Sequence, residues 1–389
     1  MRKIFNRDHI LIQGIYYLMA CMIFVYETYS LLQRGLSSSL IGIIFSIGQL
    51  LNIIIQFLVS EYLDKHDNVS SFQASLYTVI ALIVLFIVNV LLNTPTLLLV
   101  IVNIMILALN ESMTPLTNSF SNAYKKAGFL VHYGVARAIG SLSFAITSVI
   151  YGFLTERFDY HIITYSMLGF SLMLFIALFF SNKHYQSVEI EKEKVTYENI
   201  KTIDFIKEHY MFIVLCFGFG LIMATSNSTE NFTLQIIGRV GGTSLDNGLI
   251  QGLRAFCEVP VIFYFHKIEK KISIKTIYWI AAVSYVLKAS ALLSPSLVIM
   301  YLAQLLQLIS FSFLLPATIS YIGKIMKPKE TSRGYAMQTS ITSVVSICMN
   351  GIAGLIIDSF GVYVLCIVCL TTTIFGAFTL LYSIHNLEK

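Results

Sequence analysis

Charge is what this sequence has least of. Only 12% of its 389 residues are Asp, Glu, Lys or Arg, about half the ~25% of an average soluble domain. Twenty-six basic and 21 acidic side chains cannot cover a soluble fold of this length. That excludes an ordinary cytosolic enzyme. A net charge of +5, dispersed along the chain, excludes a nucleic-acid binder, and 56% hydrophobic residues exclude a disordered chain. Catalytic signatures are missing as well. There is no His-Glu-x-x-His zinc helix, no phosphate-cradling Gly-rich loop ending in Lys, and no sizeable polar domain. We therefore expect no enzyme activity, no cofactor and no bound metal. The six cysteines (Cys21, Cys216, Cys257, Cys348, Cys366 and Cys369) all fall in apolar stretches. Cys366-x-x-Cys369 has no His or acidic neighbour and reads as helix packing, not as a metal or redox site.

Apolar runs are what the sequence has in abundance, with a mean hydropathy of +0.76. A transmembrane helix needs about 20 mostly apolar residues. Twelve stretches qualify, near 10–32, 40–63, 72–93, 97–122, 133–155, 161–181, 211–236, 245–265, 274–294, 296–323, 334–357 and 361–383. Turn-forming clusters such as Asn93-Thr94-Pro95-Thr96 and Ser294-Pro295-Ser296 separate them. The runs are continuous, not alternating, so a β-barrel is excluded. The two termini and the even-numbered loops hold 20 of the 26 Lys and Arg residues, whereas the odd loops hold only Arg34, Arg157 and Arg239. The positive-inside rule then places both termini in the cytoplasm. Leu18-Met19-Ala20-Cys21 loosely resembles a lipoprotein cleavage box. The apolar run continues to Leu32, however, and eleven spans follow, so the first span is expected to stay uncleaved.

The longest polar stretch divides the chain into an N-terminal six-span half (1–181), a cytoplasmic linker (182–209) and a C-terminal six-span half (210–389). Within the linker region Tyr197, Ile200, Ile203, Ile206 and Tyr210 recur three to four apart, predicting a short amphipathic helix on the membrane face. The halves repeat each other weakly. Glu27-Thr28-Tyr29-Ser30-Leu31 matches Glu230-Asn231-Phe232-Thr233-Leu234 at an offset of 203. Pro115-x-Thr117-x-Ser119 matches Pro316-x-Thr318-x-Ser320 at 201, and Gly152-Phe153-Leu154-x-Glu156 matches Gly354-Leu355-Ile356-x-Asp358 at 202. Six spans per half make this a parallel duplication, with a solute site expected near the midplane between the halves.

Ionisable residues deep in a span cost roughly 2.5–3.5 kcal/mol on insertion scales and usually face a cavity or a partner. Here they are Glu27, Glu111, Glu230 and Glu258 against Arg137, Arg254 and Lys288, a near-balance that reads as pairing and not as an ion pore. Arg254 and Glu258 lie one turn apart and can pair with each other, or Arg254 serves another acid. Asn110, Thr114, Asn118 and Asn122 make a polar stripe with Glu111 beside it and Pro115 in its middle. Gln49, Asn52 and Gln56 make a second stripe. Arg137, Ser141, Phe144 and Ser148 share a helix face, a guanidinium near an aromatic ring that suits a hydroxylated ring.

At these residues the sequence resembles the major facilitator superfamily, in its sugar–cation symporter branch around the lactose, nucleoside and phenylpropionate permeases. Gly134-Val135-Ala136-Arg137-Ala138-Ile139-Gly140-Ser141 is similar to the motif whose arginine binds sugar, with Phe144 in the place of a tryptophan. Cys257-Glu258 resembles a Gly-Glu pair whose glutamate binds sugar and links to proton transfer, and Lys288 falls where the family has a coupling arginine. Asp64-Lys65 resembles part of the loop 2–3 signature, with Asp67 where a glycine is usual. Other positions depart from the pattern. Asn118 stands for a carboxylate, Gln307 for a coupling histidine and Ser310 for its acid, and Gln304 and Thr342 for two lysines.

The resemblance implies a multi-pass, monomeric protein of a bacterial inner (plasma) membrane that works by alternating access. Its expected cargo is a small polar solute, a sugar, oligosaccharide or nucleoside-like molecule, taken up with a proton. Substrate contacts are expected from Arg137, Phe144, Asn118, Glu258 and Glu111. Coupling or gating is expected from Glu258, Lys288, Arg254, Gln307, Asp64, Glu27 and Glu230. Uniport is the alternative favoured by the neutral Gln304–Gln307–Ser310 face. Efflux of amphipathic compounds is disfavoured by a fifth span without proline, and a non-transporting membrane sensor is the alternative from another class.

Overall fold

A computed structural model describes residues 2–65, 69–126, 128–129, 131–186, 202–327 and 330–387. Helices account for its regular structure, and no strand occurs among the described residues. The chain forms two units, one of Met1–Lys194 with Ser244–Gly252 and the other of Val195–Thr243 with Leu253–Lys389.

The first unit contains α1 (Arg2–Gln33), α2 (Ser38–Lys65), α3 (Ser71–Leu91), α4 (Leu97–Lys126), α5 (Tyr133–Arg157) and α6 (His161–Gln186). Helix α3 begins at a capping box. The Ser70 hydroxyl accepts from the Gln73 backbone N–H at 3.3 Å, and the Gln73 side chain accepts from the Ser70 N–H at 2.9 Å. α1 packs mainly on α5 and α6, α2 on α4, and α3 on α4 and α6.

Further along are α7 (Thr202–Glu208), α8 (Tyr210–Asn231), α9 (Thr233–Gly238), α10 (Ser244–Ile268), α11 (Ile274–Ala291), α12 (Leu297–Gln304), a 3₁₀ turn (Leu305–Leu308), α13 (Phe311–Ile325), α14 (Thr331–Phe360) and α15 (Val362–Leu387). In the second unit α8 packs mainly on α14 and α15, and α11 on α13 and α15. This is the pairing of α1 with α5 and α6, and of α3 with α4 and α6, met again one half further on. The duplicated prolines, Pro115 and Pro316, both lie inside helices, α4 and α13. α8 and α15 touch through glycine. A Cβ on Gly218 would lie 2.6 Å from the Leu380 nitrogen and 2.9 Å from the Gly376 carbonyl oxygen, so only hydrogen fits there. Small residues that let backbones approach are how membrane helices pack when water does not drive them together.

Among the described residues, ten helical stretches are long and apolar enough to cross a membrane, counting Leu297–Ile325 across its break. The other two expected spans are α10 and α11, whose interiors carry Arg254, Glu258 and Lys288. Two expected spans are interrupted. The seventh stops at Phe232 between α8 and α9, and the tenth unwinds through the 3₁₀ turn to Ser310, whose backbone sits at φ −94°, ψ −87°. The expected linker helix is seen as α7, and Tyr197 and Ile200 lie outside the described residues. α7 buries Phe205 against Phe212, Cys216, Ile322 and Met326, while Ile206 and Tyr210 stay exposed.

Candidate functional site

Each unit carries its own polar constellation among apolar helices. In the first unit it spans α1, α2, α4 and α5. The Arg137 guanidinium lies over the Tyr17 ring, 4.6 Å from its centroid, and donates to the Ser141 hydroxyl at 2.6 Å. Gly140 makes this stacking possible, since a Cβ there would meet the Tyr17 ring at 2.6 Å. The preceding residue on α1, Tyr16, is fully buried. Its hydroxyl donates to the Asn110 carbonyl at 3.0 Å and sits 2.6 Å from the Thr114 hydroxyl. Asn118 accepts from the Gln13 amide at 3.3 Å. Glu111 accepts from Asn52 at 2.9 Å, and Asn52 in turn accepts from Gln56 at 2.8 Å, so the two polar stripes meet at one carboxylate.

The aromatic ring under Arg137 is therefore Tyr17 on α1, and Phe144 is buried on α5. Tyr17 was not picked out from sequence. The available signal was Gly140, a small residue one turn from the arginine. The site also holds unspent hydrogen-bonding capacity. The side-chain amide of Asn110 is fully buried with neither atom hydrogen-bonded, and the Gln13 and Gln49 carbonyl oxygens are likewise buried without a partner among the described residues. Buried polar atoms left open in this way need an explanation, and a polar ligand is one.

Toward the other end of α1, Glu27 is 2% exposed, and neither of its carboxylate oxygens hydrogen-bonds a described residue. Arg34, two turns on, is committed elsewhere. It donates to the Asn89 side chain at 2.5 Å and stacks on Tyr160, while Asn89 donates to Asn103 at 2.8 Å.

The second constellation is a chain across three helices. Lys288 on α11 donates to the Gln307 carbonyl oxygen at 2.6 Å, and the Gln307 amide donates to Glu258 on α10 at 2.7 Å. One amide thus joins an ammonium to a carboxylate, using its acceptor end for the cation and its donor end for the anion. Gln307 is 2% exposed and sits in the 3₁₀ turn, where the Ser312 hydroxyl caps its own carbonyl at 3.0 Å. The broken helix is what turns it toward both partners. Arg254 pairs with Glu230 on α8, the second of the two alternatives open for it, and Glu230 also accepts from the Ser226 hydroxyl at 3.0 Å. Close by, the Asn350 carbonyl oxygen accepts from Ser228 at 2.8 Å and Asn231 at 3.2 Å.

The structure thus brings Glu258, Gln307 and Lys288 together, joins Arg254 to Glu230, and gathers Arg137, Asn118 and Glu111 in one helix group. The Asp64 side chain lies outside the described residues. Among the described residues, one group has metal-ligand chemistry, Glu208, His209 and Glu330. The Lys327 ammonium lies 3.2 Å from Glu208 and 3.5 Å from Glu330, so these acids already share a cation.

A sequence model of the MFS_1 like family matches residues 12–368. The chain belongs to this family. Its fold is that of solved major facilitator transporters. A point mutant of the nucleoside transporter NupG aligns with a TM-score of 0.81 at 13% identity, covering 97% of this chain and 99% of that one. A point mutant of the peptide transporter POT gives 0.72 at 10% identity, covering 98% and 94%. A bacterial homologue of the human lysosomal transporter Spinster gives 0.63 at 13% identity, covering 100% and 95%. No curated protein matches the chain significantly. The protein is a multi-pass membrane protein of this superfamily, and neither its family nor these structures point to an enzyme.

Proposed function

We propose that the protein is a secondary transporter that takes up a small polar solute with a proton by alternating access. It has twelve spans, both termini in the cytoplasm, and two six-helix halves (1–181 and 210–389) joined by the linker 182–209. The observation that carries this reading is Gln307, held in the unwound stretch of a membrane helix between Lys288 and Glu258. Interrupted helices mark the binding and coupling sites of secondary transporters, because irregular backbone at membrane depth is tolerated only where it lines a cavity or is buried in protein. In the first half Arg137, with Tyr17 beneath it, offers donors to hydroxyls and an aromatic face to a ring. Asn118, Glu111 and the open amide of Asn110 add polar contacts, and Phe144 supplies apolar wall. A nucleoside, with ribose hydroxyls and a flat base, suits that combination. NupG, a nucleoside transporter by name, supports testing this solute class first, with sugars second.

Coupling follows from charge balance. With Glu258 ionised, the Lys288 charge is compensated through the Gln307 amide, and the ammonium is satisfied. A proton on Glu258 cancels its negative charge and weakens its hold on the Gln307 amide N–H. A solute hydroxyl oxygen then accepts from that N–H in its place, so proton and solute enter together and leave together. The Arg254–Glu230 pair is a gating contact, and Glu27 occupies the matching place in the first half.

The test is uptake of radiolabelled nucleosides and sugars into proteoliposomes, with and without a protonophore. Accumulation that collapses to equilibration with protonophore is the expected result, and Glu258→Gln should equilibrate solute without accumulating it. Accumulation in Glu258→Gln that still follows an imposed pH gradient would sink the coupling role. Absence of flux for every solute under any gradient would favour a sensor.

A further inference from the structure

At one end of the first unit, a groove of about 480 Å³ runs between α1 and α6. Its floor and walls are apolar, with Leu11, Ile15, Met173, Ile176 and Phe180 among them. Leu11, Met173, Ile176 and Phe180 are each about half exposed, so the groove opens outward from the helix pair. Its mouth is different. Arg7, Asp8 and His184 close one end. The Asp8 carboxylate is 7% exposed and spends both oxygens locally, one on Arg7 at 3.3 Å and one on His184 Nδ1 at 2.6 Å. Asp8 therefore acts as a bracket that fixes two nitrogen-bearing side chains at the lip. Arg7 keeps its other guanidinium donors outward, with 63% of its side chain exposed. Lys3 lies one turn before Arg7 on α1, and Lys183 precedes His184 on α6, and both are exposed.

An apolar furrow that faces lipid and ends in basic side chains at the end of two spans has the shape of an amphiphile. We propose that this groove is a binding site for an anionic phospholipid, with the phosphodiester at Arg7 and an acyl chain along α1 and α6. Charge decides the lipid class. Arg7 at the mouth and the exposed Lys3 and Lys183, next along the same helix ends, outnumber Asp8, whose own oxygens are already taken, and basic pockets at span ends are where anionic headgroups are held. The length of the apolar wall argues for a lipid over free phosphate, which would gain nothing from Leu11 or Phe180. The inference rests on α1 and α6 being membrane spans and does not depend on what the protein transports.

The test uses the purified full-length protein, delipidated in detergent and titrated with phosphatidylglycerol or phosphatidylcholine of identical acyl chains, bound lipid being counted by native mass spectrometry. One phosphatidylglycerol should be retained about fivefold more tightly than phosphatidylcholine, the discrimination expected of one well-placed basic residue. Arg7→Ala should erase that preference, and Arg7→Lys should keep most of it. Ala177→Trp, which fills the groove, should remove the tightly held lipid while leaving Arg7 in place. Excess glycerol phosphate should not displace the lipid. Equal retention of the two lipids, indifference to both Arg7→Ala and Ala177→Trp, or displacement by glycerol phosphate would each overturn the proposal. Because none of these readouts involves flux, a protein that binds lipid as expected but moves no solute would refute the transport reading alone.

Discussion

Glu27 and Glu230 occupy matching places in the two halves, yet the structure gives them opposite surroundings, and neutralising each should have opposite consequences. Glu230 is paired with Arg254, accepts from Ser226, and the two charged side chains are only 25% and 14% exposed. Removing one partner of a buried pair costs about 3–5 kcal/mol, because the other charge is left uncompensated. The partial exposure of Glu230 puts Glu230→Gln at the low end, about 3 kcal/mol. For a unit of this size each kcal/mol moves the melting temperature by roughly 2–4 °C, so the fall should be on the order of 6–12 °C. Replacing both partners, as in Glu230→Met with Arg254→Met, strands no charge and should recover most of the loss. Glu27 makes no salt bridge and has no hydrogen bond to lose among the described residues, and Arg34, whose charge acts on it from farther off, keeps its hydrogen bond to Asn89. Glu27→Gln should therefore leave the melting temperature unchanged or raise it. The cysteines supply the assay. Five of the six are buried and none is in a disulfide, so a thiol-reactive fluorophore reports unfolding over a baseline set by exposed Cys348. If Glu230→Gln melts with the parent, or if Glu27→Gln falls as far as Glu230→Gln, the contrast drawn from their surroundings is wrong.

Four further outcomes follow from the packing and the ion pairs. Gly218→Ala should cost at least about 1–3 kcal/mol, since its Cβ would press on the α15 backbone. Gly169→Ala, a helical glycine with nothing within 4 Å, should gain about 0.5–1 kcal/mol in the same melting assay. Gly140→Ala should push Tyr17 away from Arg137, raising the KM for solute while the melting temperature moves little, and an unchanged KM would remove Tyr17 from the site. Glu269, beyond the end of α10, is held below its ordinary value of 4.5, first by its hydrogen bond from Lys324 and then by Ser320. A carboxylate lowered on folding stabilises above its unfolded value and loses that contribution as pH falls through its folded value. The melting temperature should therefore drop more steeply below pH 4.5 in the parent than in Glu269→Gln.

The membrane class and the repeat were legible because they rest on averages and on order along the chain. Twelve apolar runs and three matched segments survive the loss of any one residue, and the helix pairings of the two units follow the same scheme. The candidate site was legible where an ionisable residue stood out against an apolar span, as Arg137, Glu258 and Lys288 do. It was not legible where geometry depends on a partner far along the chain. Leu305-Leu306-Gln307-Leu308 contains no proline or glycine, and local propensity predicts continuous helix there. What accompanies the break is tertiary, hydrogen bonds from Lys288 and to Glu258 that Gln307 makes from its 3₁₀ position. Likewise the spacing of Arg254 and Glu258 allowed a pair on one helix, and only the placement of α8 directs Arg254 to Glu230.

The neutral residues then take on a meaning that charge counting hides. Gln307, where the resemblance would place a histidine, offers no titrating group. It still connects cation and anion, because an amide can satisfy both at once and cannot itself take up the proton. A titrating linker would offer the proton a second place to rest between Lys288 and Glu258. An amide linker leaves Glu258 as the carboxylate in that chain able to carry it. If this reasoning holds, Gln307→His should keep the Lys288–Glu258 connection but broaden the pH dependence of accumulation, by adding a second group that titrates near neutrality. Gln307→Leu, which can satisfy neither partner, should abolish accumulation at every pH. A Gln307→Leu variant that accumulates solute with the parent's pH profile would show that the three-helix chain is scaffolding, and that the coupling proton travels elsewhere.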